Sequence, residues 1–368
     1  MHIGLDARLT YYTGGGISQY IRQLASRLPG LDPENRYTVF HRRGQAESLS
    51  PDGTRADLFT PAHHPLERLT LSMELGLRGL DLLHSPDFIP PYYGGRRSLI
   101  TVHDLTFIHY PEFLTPGSRR YYKSQIHSAV RRADHISADS YFTRDDLIRL
   151  LDVPSEKITV IHLACNADFR RMPEEQVGPV LARLGLAPGY ILFVGTFEPR
   201  KNIPGLLRAY TRLRKIWQGA PPLVLAGRRG WLFEPVRALI DEPGLERHVR
   251  LLEELSGADL PALYNGASAF ILPSHYEGFG IPLLEAMACG IPSLVANRAS
   301  LPELAGEAAL LLDPDDPDQM ADQLHRALTD EALQQALRSR GLERVKQFGW
   351  EETAQKTVGL YKKVMEAR

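Results

Sequence analysis

Short apolar runs alternate with amphipathic helical stretches from His2 to the end of the chain, and past the middle the series begins again. Parallel strands can be joined only by a long crossover, usually a helix, so this alternation predicts parallel sheets covered by helices on both faces. In the first series the strand candidates are His2–Asp6, Tyr37–His41, Asp81–His84, Ser98–His103, His135–Ala138 and Ile158–His162. Between the first two, Ile17, Tyr20, Ile21, Leu24, Ala25 and Leu28 keep the helical period, and Arg119–Arg132 and Thr143–Leu151 also read as helices. The second series runs Tyr190–Gly195, Pro222–Gly227, Arg250–Glu253, Ala267–Pro273, Pro292–Ala296 and Ala309–Leu312, with helices at Ile203–Trp217, Leu260–Asn265 and Ile281–Ala288. Asn166–Gly189, polar and carrying Pro173, Pro179 and Pro188, reads as a domain linker with a short helix. Two long helical stretches close the chain, 316–348 with a break and Trp350–Glu366. A length of 368 residues also exceeds the roughly 250–300 at which single cores stop growing. The expected fold is α/β, two doubly wound, Rossmann-like domains facing each other across a cleft. The first comprises residues 1–165, onto which a helix within 350–368 packs back, and the second residues 166–349.

Lys and Arg number 43 against 44 Asp and Glu, a net charge of -1 that offers no electrostatic footprint for nucleic acid. The two cysteines, Cys165 and Cys289, are too few for a disulfide framework or a zinc cluster and read as buried small hydrophobes. No basic region with an apolar stretch and cleavage site follows Met1, and no run approaches the ~18 apolar residues of a membrane span. These features predict a cytoplasmic chain. Peripheral contact with the inner face of a membrane stays open, because a surface patch is invisible in composition.

In doubly wound sheets ligands bind outside the carboxyl ends of strands, so the loops there are the candidate sites. The most informative is His275-Tyr-Glu-Gly-Phe-Gly-Ile-Pro-Leu-Leu-Glu285-Ala-Met-Ala-Cys-Gly290. Gly278 and Gly280 let backbone approach a ligand, and Pro282 suits the first turn of a helix. The N–H groups of Phe279, Gly280 and Ile281, with the positive helix end, make an anion site. Glu277 before the helix and Glu285 inside it can accept hydrogen bonds from hydroxyls on either side of a bound phosphate.

This segment resembles the signature of the family 4 retaining glycosyltransferases, which have the two-domain GT-B fold. The resemblance continues through Ser300–Pro314, Gly195-Thr-Phe-Glu-Pro-Arg-Lys-Asn202, Val102-His-Asp104 and Gly14-Gly-Gly16, and so covers essentially the whole chain. It implies a nucleoside-diphosphate-sugar donor held by the carboxyl-terminal domain and an acceptor mainly on the amino-terminal one. By that resemblance Glu285 would hold the ribose hydroxyls and Glu277 those of the transferred sugar. The amides of Phe279, Gly280 and Ile281 would meet the donor sugar and its phosphates.

Gly195 permits a turn after its strand, and the loop then presents Arg200 and Lys201, a planar fork and a point charge suited to a pyrophosphate. They match the family's Arg-Lys-Asn and would stabilise the leaving group. His103 ends its strand and, as in the family, would contact the donor sugar or its phosphate. Asp104 would either orient it or cap the next turn. Gly15 and Gly16 lie in a glycine loop that in the family closes on donor phosphate or acceptor. As a dinucleotide fingerprint this loop fails, because position 19 is Gln19.

The resemblance is strongest to bacterial mannosyltransferases of polysaccharide assembly. It implies a hexosyl, specifically mannosyl, transfer from GDP-mannose to a hydroxyl of a glycan or lipid-linked acceptor, with UDP-glucose and UDP-N-acetylglucosamine still open. No Asp-x-Asp metal motif is present, and neither a cofactor nor a metal is expected. A sugar-nucleotide epimerase of the same architecture and a non-catalytic sugar-nucleotide-binding subunit are the alternatives.

Overall fold

The computed structural model describes residues 1–367 except 13, 231–233, 242, 243 and 254, so Arg368 of the last expected segment lies outside the described residues. The chain divides into two units, Met1–Leu163 with Gly349–Arg368, and Ala164–Phe348.

Unit 1 holds a seven-stranded sheet of β1 (His2–Asp6), β2 (Arg36–Arg42), β3 (Thr54–Leu58), β4 (Leu82–Ser85), β5 (Arg97–Val102), β6 (His135–Ala138) and β7 (Ile158–Val160). Their spatial order is β3-β2-β1-β4-β5-β6-β7, and every neighbour pair is parallel. β3 was not legible in the sequence. It is an edge strand reading Thr-Arg-Ala-Asp-Leu, and charges that blunt an edge also erase the apolar run. Helix Gly16–Leu31 buries Tyr20, Ile21, Leu24 and Leu28, each at most 1% exposed, against the sheet. Fully burying a side chain of this kind stabilises by about 1.5–3 kcal/mol.

The last helix, Trp350–Glu366, packs on this unit as well. The Thr353 hydroxyl donates to the His162 carbonyl at 2.8 Å, and Tyr361 Oη lies 2.8 Å from His84 Nδ1. His84 is fully enclosed, and burial together with the His103 charge holds it down at about 3, so its ring is neutral.

Unit 2 holds β8 (Tyr190–Val194), β9 (Leu223–Ala226), β10 (Val249–Leu252), β11 (Ala267–Leu272), β12 (Ser293–Ala296) and β13 (Leu310–Leu312) in the order β10-β9-β8-β11-β12-β13, again all parallel. The segment 166–189 is no simple spacer: helix Glu174–Arg183 within it buries Val177 and Leu181 in this unit. The expected break in 316–348 falls at Asp330, whose carboxylate accepts from Leu333 N at 2.9 Å and caps the second helix.

In each unit the chain builds outward from one central strand and then returns to build the other way. The switch falls between β1 and β4 in unit 1 and between β8 and β11 in unit 2. The crevice outside the carboxyl ends of such strand pairs is where ligands bind.

Candidate active site

The switch point of unit 2 gathers the two loops singled out in the sequence. After β8 the chain makes a single tight turn, Pro199–Lys201, ending at Asn202 in the left-handed conformation (φ 54°). The Asn202 side chain accepts from Gly205 N at 3.2 Å, capping helix Ile203–Ile216, and donates to the Pro314 carbonyl at 2.7 Å. This fixes the two preceding cations. Arg200 Nη1 donates to Glu277 Oε2 at 2.8 Å and Lys201 Nζ to Glu277 Oε1 at 2.5 Å. The Ser274 hydroxyl donates to Oε1 at 2.7 Å, and Glu198 takes Arg200 Nε at 2.9 Å.

Lys201 and Glu277 are buried, and Arg200 and Glu198 are partly so. Burial alone would push the Glu277 carboxyl up, but Lys201 and Arg200 outweigh it and hold it at about 2. Lys201 is pulled below its ordinary value by burial and by Arg200, against the pull of Glu277. Two cations thus face two carboxylates, one of them, Glu198, toward the edge of the cluster.

Beyond Glu277 the chain passes Gly278 and Phe279 and enters helix Ile281–Ala288 through Gly280. Gly280 has φ 112°, a backbone conformation that requires glycine, and a Cβ there would also stand 2.8 Å from the Leu301 Cδ2 methyl, which would have to shift. Phe279 is buried with its ring 6.1 Å from that of Phe348. Ser300 Oγ lies 2.8 Å from both the Glu277 and Phe279 carbonyl oxygens and donates to one at a time. Glu285 is buried inside the helix, where Tyr264 donates its hydroxyl to Oε2 at 2.8 Å. Burial pushes this carboxyl up to about 7.

Gly195 follows β8. Gly227, at the end of β9, comes so close to it that a Cβ on Gly227 would lie 1.8 Å from the Gly195 carbonyl oxygen. The strict steric demand therefore falls on Gly227 and not on Gly195.

In unit 1, His103 follows β5. Its Nδ1 lies 2.7 Å from Asp139 Oδ2 and its Nε2 3.1 Å from the Pro86 carbonyl oxygen. Both partners are acceptors, so both ring nitrogens donate and the ring is an imidazolium. Burial would lower its pKa, but the Asp139 carboxylate raises it to about 9. Asp139 had no signal in the sequence, since it lies 36 residues away and is brought alongside only by the pairing of β5 with β6. Asp104 instead caps the next turn, accepting from Thr106 N at 2.9 Å. Gly15 is the N-cap of helix Gly16–Leu31, with open space around it.

Arg200, Lys201 and Glu277 therefore form one cluster, with Gly278, Phe279, Gly280, Ile281 and Glu285 on the same loop and helix and Gly195 on the adjoining strand end. His103, Gly15 and Gly16 belong to unit 1. Among the described residues no group of three His, Cys, Asp or Glu side chains could hold a metal ion, and no helix is long and apolar enough to cross a membrane.

Residues 184–344 match the family "Glycosyl transferases group 1" and residues 14–169 match "Glycosyltransferase Family 4". The chain is 38% identical over 365 residues to the O-antigen chain mannosyltransferase B of Escherichia coli, covering 94% of this chain and 96% of that protein. Sucrose-phosphate synthase from Thermosynechococcus elongatus has the same fold, with a TM-score of 0.82 over 100% of both chains at 22% identity. Anabaena HepE in complex with UDP-glucose superimposes with a TM-score of 0.78 at 18% identity, covering 99% of this chain and 100% of that one.

Proposed function

The chain belongs to the group 1, family 4 glycosyltransferases, and from that premise we propose that it transfers a mannosyl group from GDP-mannose, with retention, to a glycan under assembly. The observation that carries this reading is the Glu277 carboxylate shared by Arg200 and Lys201 at the switch point of unit 2. The mannose rests on the name of the Escherichia coli relative. Nothing in the site favours an epimerase or a non-catalytic subunit.

In this reading Glu277 holds the two cations in place before the donor arrives, so little reorganisation accompanies the reaction. Arg200 exchanges its outer partner Glu198 for a donor phosphate, and Lys201 supplies the second charge. The amino end of helix Ile281–Ala288 faces the same anion. Glu277 accepts hydroxyls of the transferred sugar and Glu285 those of the ribose. Charge on the departing phosphate is then spread over Arg200 and Lys201 without a metal. That phosphate accepts the proton of the attacking hydroxyl on the face it leaves, so the α configuration is kept.

The acceptor is a mannose-containing glycan carried on a lipid, and the chain reaches it from the membrane surface. Leu66, Leu69, Met73 and Leu77, on and beside helix Glu67–Leu75, are spaced along one helical face and are all exposed. This support for peripheral contact is checked by co-sedimentation with anionic phospholipid vesicles, which a Leu69→Ser, Met73→Ser variant should lose.

The reading itself is tested by incubating the protein with GDP-mannose and an α-mannosyl oligosaccharide and following products by proton NMR. An α-mannoside with release of GDP is expected. A β anomer would sink the retaining mechanism, and turnover with UDP-sugars alone would sink the choice of donor.

A further inference from the structure

The switch point of unit 1 carries a second cluster that the donor reading does not use. Asp6 ends β1 and Ser85 ends β4, the two strands that part there. Arg8, almost fully buried, donates Nε to Asp6 at 2.9 Å, Nη1 to the Thr60 carbonyl at 2.9 Å and Nη2 to both Asp6 and Glu67 at 2.7 and 2.8 Å. His63, held at φ 59°, donates its backbone N–H to Glu67 at 2.6 Å, and its Nε2 lies 2.8 Å from Asp87 Oδ2.

Asp6, Arg8, His63, Glu67, Ser85 and Asp87 line one recess, whose enclosed space is about 10 Å³. That is the room of a single water-sized group. The Ser85 hydroxyl is buried there without a hydrogen-bonding partner, which costs free energy unless a ligand supplies one. The recess is unsuited to an anion, because three carboxylates line it and every guanidinium nitrogen of Arg8 is engaged. It suits a neutral group that both donates and accepts, which is a hydroxyl. Leu9, Ala62 and Ile89 add apolar surface to the lining beside the polar floor.

We propose that this recess is a saccharide subsite seating one hydroxyl group of an uncharged hexopyranose, with Ser85 and Asp87 as its hydrogen-bonding groups. The identification of that sugar as part of the acceptor rests on the glycosyltransferase reading above. Glu67, pushed up to about 7 by burial, is the kind of shifted group that collects at working sites.

Saturation-transfer NMR on the whole protein, with the methyl α-glycosides of mannose, glucose, galactose and N-acetylglucosamine as probes, tests the subsite. Signal from at least one probe is expected. It should fall tenfold or more in Ser85→Val, which fills the recess, and in Asp87→Asn, which keeps its shape. GDP affinity by calorimetry should stay within twofold in both variants, and unchanged far-UV circular dichroism and thermal melts show that unit 1 is folded in them. Silence from all four probes, or signal unchanged in both variants, overturns the subsite. Loss of GDP binding by the unaltered protein would instead overturn the donor reading and leave the glycoside measurement standing as its own result.

Discussion

Glu277 and Glu285 lie eight positions apart on one loop and helix, yet their surroundings push them in opposite directions. Glu277 sits between two cations and stays ionised down to about pH 2. Its folded value lies below the ordinary one, so the stability it contributes is present above about pH 4.5 and is lost as pH falls toward 2. Glu285 has an aromatic hydroxyl for company and is raised to about 7. Stability tied to it is full below about pH 4.5 and declines as pH rises through 7. Glu285→Gln should therefore raise stability at pH 8 by an amount on the order of 2 kcal/mol, with little change at pH 4. Thermal melts at the two pH values check this. The same variant should weaken GDP binding at least tenfold if the ionised group holds ribose. For His103 the sign runs like that of Glu285: its folded value of about 9 stabilises fully below 6.5 and is lost as pH passes 9. Asp139→Asn should bring the His103 titration, followed by NMR, down to or below its ordinary value. Its destabilising effect should shrink above pH 9.

At the scale of elements, the site depends on two glycines that hold strand ends and helix starts together. Gly280 turns the chain into helix Ile281–Ala288 at a positive φ. Gly280→Ala should cost roughly 1–3 kcal/mol through backbone strain and tilt the start of the helix. Gly227→Ala should cost more, because the added carbon meets the Gly195 carbonyl and not a side chain that can rotate. Denaturant melts rank the two, and Gly227→Ala should also impair nucleotide binding by separating the ends of β8 and β9. The edge strand β3 and helix Glu67–Leu75 show the opposite relation to sequence. Both are short: β3 has only Ala56 and Leu58 as apolar residues, and the helix divides its own between buried Leu71 and Leu75 and exposed Leu69 and Met73, so neither has a period strong enough to be seen locally.

For the molecule as a whole, the two units repeat one plan: a parallel sheet, a switch in the direction of growth, and charged residues on the loops at that switch. In unit 2 those residues suit a phosphate, and in unit 1 a hydroxyl. Because Arg200, Lys201 and a helix amino terminus supply the positive charge, transfer should proceed unchanged in EDTA. Loss of turnover with EDTA, restored by Mg²⁺ or Mn²⁺, would contradict that account. Alanine at Arg200 or Lys201 should weaken GDP binding about tenfold or more, since charge-assisted bonds contribute roughly 1.5–3 kcal/mol each. Calorimetry across a salt series checks both the loss and the smaller salt dependence expected with it.

Strand-helix alternation was readable from the chain alone, because apolar period and glycine-proline punctuation are carried by residues that are neighbours in sequence. So was the two-fold repeat of the doubly wound plan, along with the motif that marks the family. The partners of the charged groups were not. Glu277 meets Arg200 and Lys201 across 77 and 76 residues because β8 and β11 lie side by side. His103 pairs with Asp139 and not with the adjacent Asp104, because β5 and β6 bring their ends together while Asp104 turns to cap its own loop. The recess at Ser85 needs β1 next to β4, an order that β2 and β3, lying between them in sequence, conceal. Local pattern determines which segments become strands and helices. Which loops then share a strand end follows from sheet order, and that is set by long-range packing.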